Sequence, residues 1–217
     1  MKLIAIDVTK TIKGKAILSN VTLTLESGMI YGFVGPNGSG KTMLFRALSG
    51  LMSVTSGTVL LDDKVLKKDF DVLPNLGILL ENVSLYPSLT GYENLEYLAK
   101  FQQKIGKPEI EIALRRVGLD PKDSRKYGKY SLGMKQRLAI AQAVMEKPDI
   151  IMLDEPTNSL DLESVTSVRQ LIREEKERGA LILLASHNPD DIQSLADKVY
   201  SIRDGVVHEE GGKLLEI

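Results

Sequence analysis

One segment of the chain has the residue types and spacing that bind phosphate groups. Its pattern is Gly-x-x-x-x-Gly-Lys-Thr, and its members are Gly35, Pro36, Asn37, Gly38, Ser39, Gly40, Lys41 and Thr42. The glycines let backbone N–H groups turn towards phosphate oxygens, because no Cβ stands in the way. In such a loop the lysine reaches the β- and γ-phosphates, and the threonine hydroxyl binds Mg²⁺. A chance match in a chain of this length is on the order of 1%, so the segment predicts a nucleoside triphosphate site.

A second candidate is a pair of carboxylates at the end of an apolar run. Ile150–Leu153 is followed directly by Asp154 and Glu155. Neighbouring residues of a strand point to opposite faces, so the two carboxylates cannot share one role. We expect Asp154 to bind Mg²⁺ through its water shell and Glu155 to be the general base for an attacking water. Taken alone, the pair could equally be an acidic turn, but a neighbouring phosphate loop favours the catalytic interpretation.

The elements that must position these groups are strands alternating with helices. The predicted strands are Leu3–Val8, Val21–Leu25, Met29–Val34, Gly57–Leu61, Leu76–Leu80, Ile150–Leu153, Ala180–Ala185 and Lys198–Arg203. Several of these runs are continuous rather than alternating, which is typical of parallel strands covered on both faces. Helical patterns at Lys41–Ser49, Leu162–Glu177 and Asp190–Leu195 follow three of them. This alternation predicts an α/β fold, in which the carboxyl ends of central strands line the ligand crevice.

The middle of the chain has a different pattern. From Gly91 to Met145 it is helical, with breaks near Pro108 and Pro121, and no buried-strand run interrupts it. We predict a single domain over 1–217, with a helical sub-domain at about 81–130 inserted into the α/β core.

Together these segments resemble the ATP-binding cassette (ABC) ATPases over almost the whole chain. Tyr130–Leu138 is similar to the signature of that family, Asn158–Asp161 to its D-loop, and Ser186-His187 to its switch histidine. Glu81 stands at the place of the Q-loop glutamine. The order of these segments is more specific than any one of them. The resemblance implies a P-loop NTPase core of mostly parallel strands, with an antiparallel β sub-domain and an inserted helical sub-domain.

The resemblance also implies ATP and Mg²⁺ as cofactors and a reaction shared between two subunits. Family members bind ATP between subunits packed head to tail, with each phosphate loop facing the signature of the other subunit. Ser131 and Gly133 begin a helical run, so their hydroxyl and N–H groups would bind a γ-phosphate across the interface, and Asp161 would belong to the same nucleotide site. His187 would contact the γ-phosphate beside the water that Glu155 activates. We therefore expect a homodimer or heterodimer of ATPase subunits.

Three positions depart from the family pattern. Ile12 stands where an aromatic residue usually stacks on adenine, which predicts weaker nucleotide affinity or base discrimination. The signature segment is Tyr-Ser-Leu-Gly-Met, which keeps Ser131 and Gly133 and resembles that of drug and bacteriocin-resistance exporters. Glu81 replaces the Q-loop glutamine, and since a carboxylate repels phosphate, its link to the metal would be indirect.

Composition sets limits on the partners of the chain. Its formal net charge is −1 and it has no cysteine, so nothing indicates a nucleic acid partner, a disulfide or a thiolate metal site. No run approaches the ~18 apolar residues that span a bilayer, and Met1–Asp7 lacks a signal-peptide cleavage site. We therefore expect a soluble chain whose membrane role, if it has one, comes from a partner. The resemblance implies that this partner is a separately encoded transmembrane permease, and that the subunit is cytoplasmic and peripheral on the inner face of the cell membrane.

The segment after Glu81 is the candidate contact with that permease. Val83, Leu85 and Tyr86 would line the groove that receives a helix of the membrane subunit, unless they fill a local core. Together with the signature, Leu85–Thr90 resembles exporters of drug, peptide or lipid-like cargo. The main alternative is a soluble single-cassette ATPase of the cofactor-assembly type, which has no membrane partner. A GTPase is disfavoured because the chain has no Asn-Lys-x-Asp guanine-binding segment.

Overall fold

The computed structural model describes residues 1–80 and 85–211 of the chain. Within these ranges the strands are β1 (Lys2–Ile12), β2 (Lys15–Glu26), β3 (Ile30–Val34), β4 (Ser56–Leu61), β5 (Lys64–Val65), β6 (Leu76–Leu79), β7 (Ile150–Asp154), β8 (Leu181–Ala185), β9 (Lys198–Arg203) and β10 (Val206–Glu209). The α-helices are α1 (Lys41–Ser49), α2 (Gly91–Gln102), α3 (Lys107–Arg116), α4 (Leu132–Val144), α5 (Leu162–Glu177) and α6 (Pro189–Leu195). A 3-10 turn at Tyr127–Lys129 precedes α4.

The strands form two sheets. Strands β2-β1-β4-β5 make an antiparallel sheet, and the second sheet has the order β10-β9-β3-β8-β7-β6. Five strands of the second sheet, from β9 to β6, are parallel, and β10 adds an antiparallel edge. Parallel neighbours require crossover connections, and the helices of the chain supply them. The predicted fold, a mostly parallel α/β core with an antiparallel β sub-domain and helices inserted into it, is confirmed.

The central strands are buried on both faces, as their continuous apolar runs predict. Every residue of β3, β7 and β8 is buried. Along β7, Met152 packs in the core that contains Phe33 and Phe45, whereas Ile151 packs in the core formed with α2, α3 and α4. The rings of Phe33 and Phe45 meet edge to face at 5.5 Å. Because Phe33 lies on β3 and Phe45 on α1, this contact fixes the two elements that flank the phosphate loop.

The helical segment packs on one face of the parallel sheet. Helix α2 begins with a capping box, in which the N–H of Glu93 donates to the Thr90 hydroxyl and the N–H of Thr90 donates to the Glu93 carboxylate. At the end of α3, Arg116 pairs with Glu174 and Glu175 of α5. Helices therefore occupy the region where the sequence pattern predicts them, and they share a core with the sheet; the proposed boundaries at 81 and 130 stay a prediction.

Two strands lie outside the predicted set. β5 has only two residues and β10 lies at the sheet edge with mostly exposed side chains, so neither has the apolar pattern of a buried strand. β1 also extends beyond the predicted Leu3–Val8 and joins β2 through a tight turn in which Lys13 and Gly14 both have positive φ. Within the described ranges, no helix is long and apolar enough to cross a membrane.

Candidate active site

The phosphate loop connects the buried strand β3 to helix α1. A Cβ on Gly35 would lie 2.3 Å from the carbonyl oxygen of Ile202, so only glycine fits there. Gly40, the N-cap residue of α1, has φ +115° and no side chain to cap the helix. The first N–H groups of α1 therefore face the loop, where a phosphate is their natural partner.

Two side chains of this loop point to a bound anion. The Lys41 ammonium is buried and donates to the carbonyl oxygens of Gly35 (2.6 Å) and Pro36 (3.2 Å). The Ser39 hydroxyl is buried and has no hydrogen-bond partner among the described residues. A phosphate oxygen would supply the partner that a buried hydroxyl requires. The residues present thus fit a nucleotide phosphate.

The loop and the acidic pair open into one cleft of about 600 Å³. Its lining includes Ile17, Asn37, Gly38, Gly40, Lys41, Thr42, Met43, Arg46, Asp154 and Glu155. Thr42 and Asp154 are 112 residues apart in the sequence. In this cleft they are in contact, and the Thr42 hydroxyl donates a hydrogen bond to the Asp154 carboxylate.

These two oxygen donors suit a hard cation. No cluster of three or more His, Asp or Glu side chains in the described part of the chain could hold a metal by itself. Mg²⁺ commonly takes one or two protein oxygens and completes its shell with water and substrate phosphates. The Thr42 and Asp154 pair, next to a phosphate loop, fits that donor set.

Glu155 leaves β7 in an unusual conformation and meets His187. Its φ is +52°, in the left-handed region that costs free energy for any residue with a Cβ. Its buried carboxylate lies 2.8 Å from His187 Nδ1 and accepts the His187 backbone N–H at 3.1 Å. The expected proximity of these two residues is therefore present, and their catalytic roles stay predictions.

The signature segment lies at the start of α4, next to the D-loop. The Ser131 hydroxyl caps this helix by accepting the N–H of Met134 at 3.2 Å. A Cβ on Gly133 would lie 3.0 Å from the Ser159 carbonyl oxygen, so glycine allows the D-loop to approach closely. Asp161 caps α5 by accepting the N–H of Ser164 at 2.8 Å, and this hydrogen bond lowers the pKa of the Asp161 carboxyl.

The signature faces a cavity other than the phosphate cleft. Ser131, Gly133 and Asp161 line a depression of about 420 Å³ that shares no lining residue with the phosphate cleft. The structure therefore brings Lys41, Thr42, Asp154 and Glu155 to one cleft, with His187 in contact with Glu155, and places Ser131, Gly133 and Asp161 at a second cavity of the same chain.

Two predicted positions remain apart from this arrangement. Ile12 ends β1, is partly exposed, and is not among the residues that line the phosphate cleft, whereas Ile17, just past the turn, is. Its contact with adenine stays a prediction. Glu81 lies outside the described residues.

Two further residues of the site have no individual role among the sequence predictions. The fully buried carboxylate of Asp191 accepts hydrogen bonds from Thr157, Ser186 and Arg169, and so ties the ends of β7 and β8 together. The Gln136 amide donates to the carbonyl oxygen of Glu155. An acidic residue four positions after a strand-end histidine was the available signal for Asp191. Gln136 lies within the predicted signature segment Tyr130–Leu138, but residue types gave no signal for its contact with the backbone at Glu155.

Comparisons with known proteins agree with this geometry. Residues 18–158 match the family model described as ABC transporter. An uncharacterized ABC transporter ATP-binding protein of Bacillus subtilis (strain 168), YybJ, is 44% identical over 200 residues, which is 92% of each chain. The bacitracin transport ATP-binding protein BcrA of Bacillus licheniformis is 39% identical over 212 residues, which cover 97% of this chain and 67% of BcrA.

A solved structure extends the agreement to the fold. The dimeric structure of MJ0796, a bacterial ABC transporter cassette, superposes with a TM-score of 0.86 at 26% identity and covers 99% of this chain and 100% of that one. A second structure of MJ0796 is a post-hydrolysis state bound to ADP and Pi, with the same TM-score. This chain therefore belongs to the ABC transporter family, as an ATP-binding and ATP-hydrolysing subunit of the kind that dimerises and works with transmembrane subunits.

Proposed function

We propose that this chain is the motor of an exporter whose transmembrane permease is a separate chain. Two copies, or one copy and a near relative, bind ATP with Mg²⁺ between them head to tail, and hydrolysis releases them. One observation carries this proposal: Glu155, in contact with His187, lines the phosphate cleft, whereas Ser131 and Gly133 line another cavity of the same chain. A signature that does not line the cleft of its own chain is available to a partner.

Within each cleft the residues have separate tasks. Lys41 and the N-terminus of α1 bind the β- and γ-phosphates. Mg²⁺, held by the Thr42 hydroxyl and by Asp154 through its water shell, would neutralise charge on these phosphates. Glu155 accepts a proton from the attacking water. When His187 Nδ1–H donates to Glu155, the other ring nitrogen is left to contact the γ-phosphate and orient it towards that water.

Exposed leucines support a paired state. Leu132 is 71% exposed beside Ser131, and Leu162 is 88% exposed beside Asp161. Leu132 lines the signature cavity, and Leu162 follows Asp161, which lines it. Large apolar side chains this exposed are typical of a surface that another protein covers. In a head-to-tail pair that surface would be covered by the phosphate cleft of the second subunit.

A row of three aromatic side chains supports a membrane partner. Tyr86, Tyr97 and Phe101 are 50%, 41% and 73% exposed. Their rings meet edge to face at 5.0 Å and 5.3 Å, so they form one continuous apolar strip, which we call the aromatic row. We assign the aromatic row to the contact with a helix of the permease, since such helices bind by apolar anchors. A soluble assembly-type cassette has no evident use for it.

This contact shares only Tyr86 with the groove expected from the sequence. Leu85 packs in the core with α2 and α4, so it does not supply the exposed contact expected of it. The alternative for Leu85, that it fills a local core, is the correct one. Tyr86 keeps its place in the proposed contact, and Val83 lies outside the described residues.

The cargo proposal rests on relatives. BcrA is named for bacitracin transport, and we propose a peptide, drug or lipid-like cargo for the permease that this chain drives. The subunit would act on the cytoplasmic side, peripheral to the inner face of the membrane. No nucleic acid takes part in this mechanism.

The test is ATP-driven pairing of a hydrolysis-deficient variant. Glu155→Gln keeps the shape of the site but removes the base, so ATP and Mg²⁺ should hold two copies together. Light scattering after size-exclusion chromatography should give a dimer with ATP and a monomer without it or with Lys41→Ala added. A Glu155→Gln protein that stays monomeric with ATP, both alone and with a copurified membrane partner, would contradict the proposal.

A further inference from the structure

Helix α4 carries the signature at its start and touches the catalytic loop of its own chain a turn later. The Gln136 side-chain amide donates to the carbonyl oxygens of Glu155 at 3.0 Å and Pro156 at 3.1 Å. One NH₂ group thus binds two successive carbonyls at the point where the chain leaves β7.

The backbone at this point needs support. Glu155 has φ +52°, a conformation that persists for a non-glycine residue only where the surroundings hold it. Its N–H donates to the Ala185 carbonyl at 2.8 Å, on the side of β8. Its carbonyl accepts from Gln136, on the side of α4, and from the N–H of Asn158 at a longer 3.3 Å. Gln136 is therefore the only contact in this set that comes from the signature helix.

The same helix reaches the loop a second time. Gly133, three residues before Gln136 and within the signature, lies against the Ser159 carbonyl so closely that a Cβ would come within 3.0 Å of it. Since a short α-helix moves as a rigid unit, α4 holds the segment from Glu155 to Ser159 at both ends. A phosphate bound at the N-terminus of α4 thus contacts the same helix that holds the backbone of Glu155.

We propose that Gln136 is a positioning residue for the Glu155 of its own chain. Helix α4 then has two functions: its N-terminus binds the nucleotide held by the partner subunit, and its Gln136 holds the general base of its own chain in position. This inference rests on the head-to-tail pairing proposed above. Gln136 is not among the residues that line the phosphate cleft. Loss of the amide should therefore lower kcat and leave the affinity for ATP unchanged.

A single substitution gives the first readout. Gln136→Ala should lower kcat about tenfold, since small misplacement of a catalytic group has effects of this size or larger, while KM stays within about twofold. The control is Gln142→Ala, on the same helix, whose Oε1 has no hydrogen-bond partner among the described residues. Gln142→Ala should keep wild-type kcat. An equal loss in both variants, or a rise in KM without a fall in kcat, would overturn the assignment.

Linked dimers decide which Glu155 responds. Two full chains are joined by a flexible linker, and the reference dimer carries Glu155→Gln in one copy only. In the first variant, called the separated dimer because its two substitutions lie in different copies, Gln136→Ala is placed in the copy without Glu155→Gln. The remaining Glu155 therefore lacks the Gln136 of its own chain. In the second variant, called the combined dimer because both substitutions lie in one copy, Gln136→Ala is placed in the copy that already has Glu155→Gln. The remaining Glu155 therefore keeps the Gln136 of its own chain.

The two dimers have opposite expected results. The separated dimer should lose about tenfold in kcat against the reference, and the combined dimer should match the reference. The reverse pattern would show that Gln136 shapes the signature for the partner, and loss in both or in neither would also overturn the inference. If the Glu155→Gln protein does not pair with ATP at all, the proposed function fails as well; if it pairs and only the linked dimers disagree, the inference alone fails.

Discussion

His187 Nδ1 lies 2.8 Å from the Oε2 atom of Glu155, although 32 residues separate them along the chain. The contact follows from the sheet: β7 and β8 are parallel neighbours with Asp154 opposite Ala185, so the residues after them emerge side by side. A histidine in this place holds the Glu155 carboxylate through Nδ1, which leaves its second ring nitrogen for the contact with the γ-phosphate proposed above.

The first prediction concerns this contact. His187→Ala should lower kcat for ATP by about 10²-fold, within the range for loss of a group that acts in proton transfer or its alignment. The side chain is 59% exposed, so the midpoint of thermal unfolding should not change. Steady-state ATPase assays and calorimetry check both statements. His208→Ala, which removes the one other histidine of the chain from the exposed edge strand β10, is the control and should have full activity.

The second prediction separates two glycines of the phosphate loop. Gly35→Ala places a Cβ 2.3 Å from a backbone oxygen, so it should destabilise the fold strongly. Gly38→Ala meets no atom within 4 Å, and its positive φ should cost about 1–2 kcal/mol of unfolding free energy. Gly38 lines the phosphate cleft, however, so the methyl group adds bulk at that site. Urea denaturation should rank Gly35→Ala as the less stable variant, and titration calorimetry should find weakened ATP binding in the folded Gly38→Ala protein.

The third prediction tests the place of the adenine. Ile12→Tyr should tighten ATP binding by up to about tenfold if Ile12 covers the base, because an aromatic ring adds roughly 0.5–1.5 kcal/mol beyond its area. Ile17→Tyr is the matched variant, since Ile17 lines the phosphate cleft. Affinities for ATP measured by fluorescence titration decide between them. Tighter binding with Ile17→Tyr alone would move the adenine contact from Ile12 to Ile17.

The sequence was sufficient to locate the elements with strong local signals. The predicted helices Lys41–Ser49 and Leu162–Glu177 match α1 and α5 residue for residue. Both have clear ends: Gly50 ends α1 in the left-handed conformation, and Asp161 caps α5. The sequence pattern did not predict the edge strands β5 and β10, because pairing with a neighbouring strand, rather than burial of their own side chains, holds them in the sheet.

The sequence predicted the separate segments of the site but not the hydrogen bonds that connect them. Phosphate loop, acidic pair and histidine each have a residue-type signal, and they meet in the structure as expected. The links between them depend on backbone carbonyls, as at Gln136, or on tertiary packing, as at Asp191. For Leu85 the sequence predicted a contact that the structure does not have. An apolar residue in a loop can line a groove or fill a core, and only the packing of the folded chain determines which of the two it does.

The fourth prediction concerns the aromatic row. Phe101→Asp should abolish transport when the permease is present and leave the basal ATPase activity of the isolated subunit unchanged, since Phe101 is largely exposed and is not among the residues that line the phosphate cleft. The control is Ile112→Asp, another exposed apolar residue, on α3. ATPase and transport assays in reconstituted vesicles check the effect. If Ile112→Asp uncouples as strongly, or if Phe101→Asp leaves transport intact, the aromatic row is not the docking surface.

The last prediction concerns the buried carboxylate that joins two catalytic loops. Asp191 is fully buried and pairs with Arg169, while the hydroxyls of Thr157 and Ser186 donate to it. Asp191→Ala leaves these donors without an acceptor, and removal of one partner of a buried ion pair typically costs about 3–5 kcal/mol. Asp191→Asn keeps an oxygen acceptor and should lose less stability.

Activity should follow the same order for a geometric reason. Thr157 follows Glu155 by two residues and Ser186 precedes His187, so Asp191 sets the spacing of the loops that bring Glu155 and His187 together. Urea denaturation and kcat should therefore rank wild type above Asp191→Asn and Asp191→Asn above Asp191→Ala, whereas Asp190→Ala, at the exposed neighbouring position, should match the wild type. An Asp191→Ala protein with wild-type stability would show that water replaces the carboxylate and that the link between the loops is not needed.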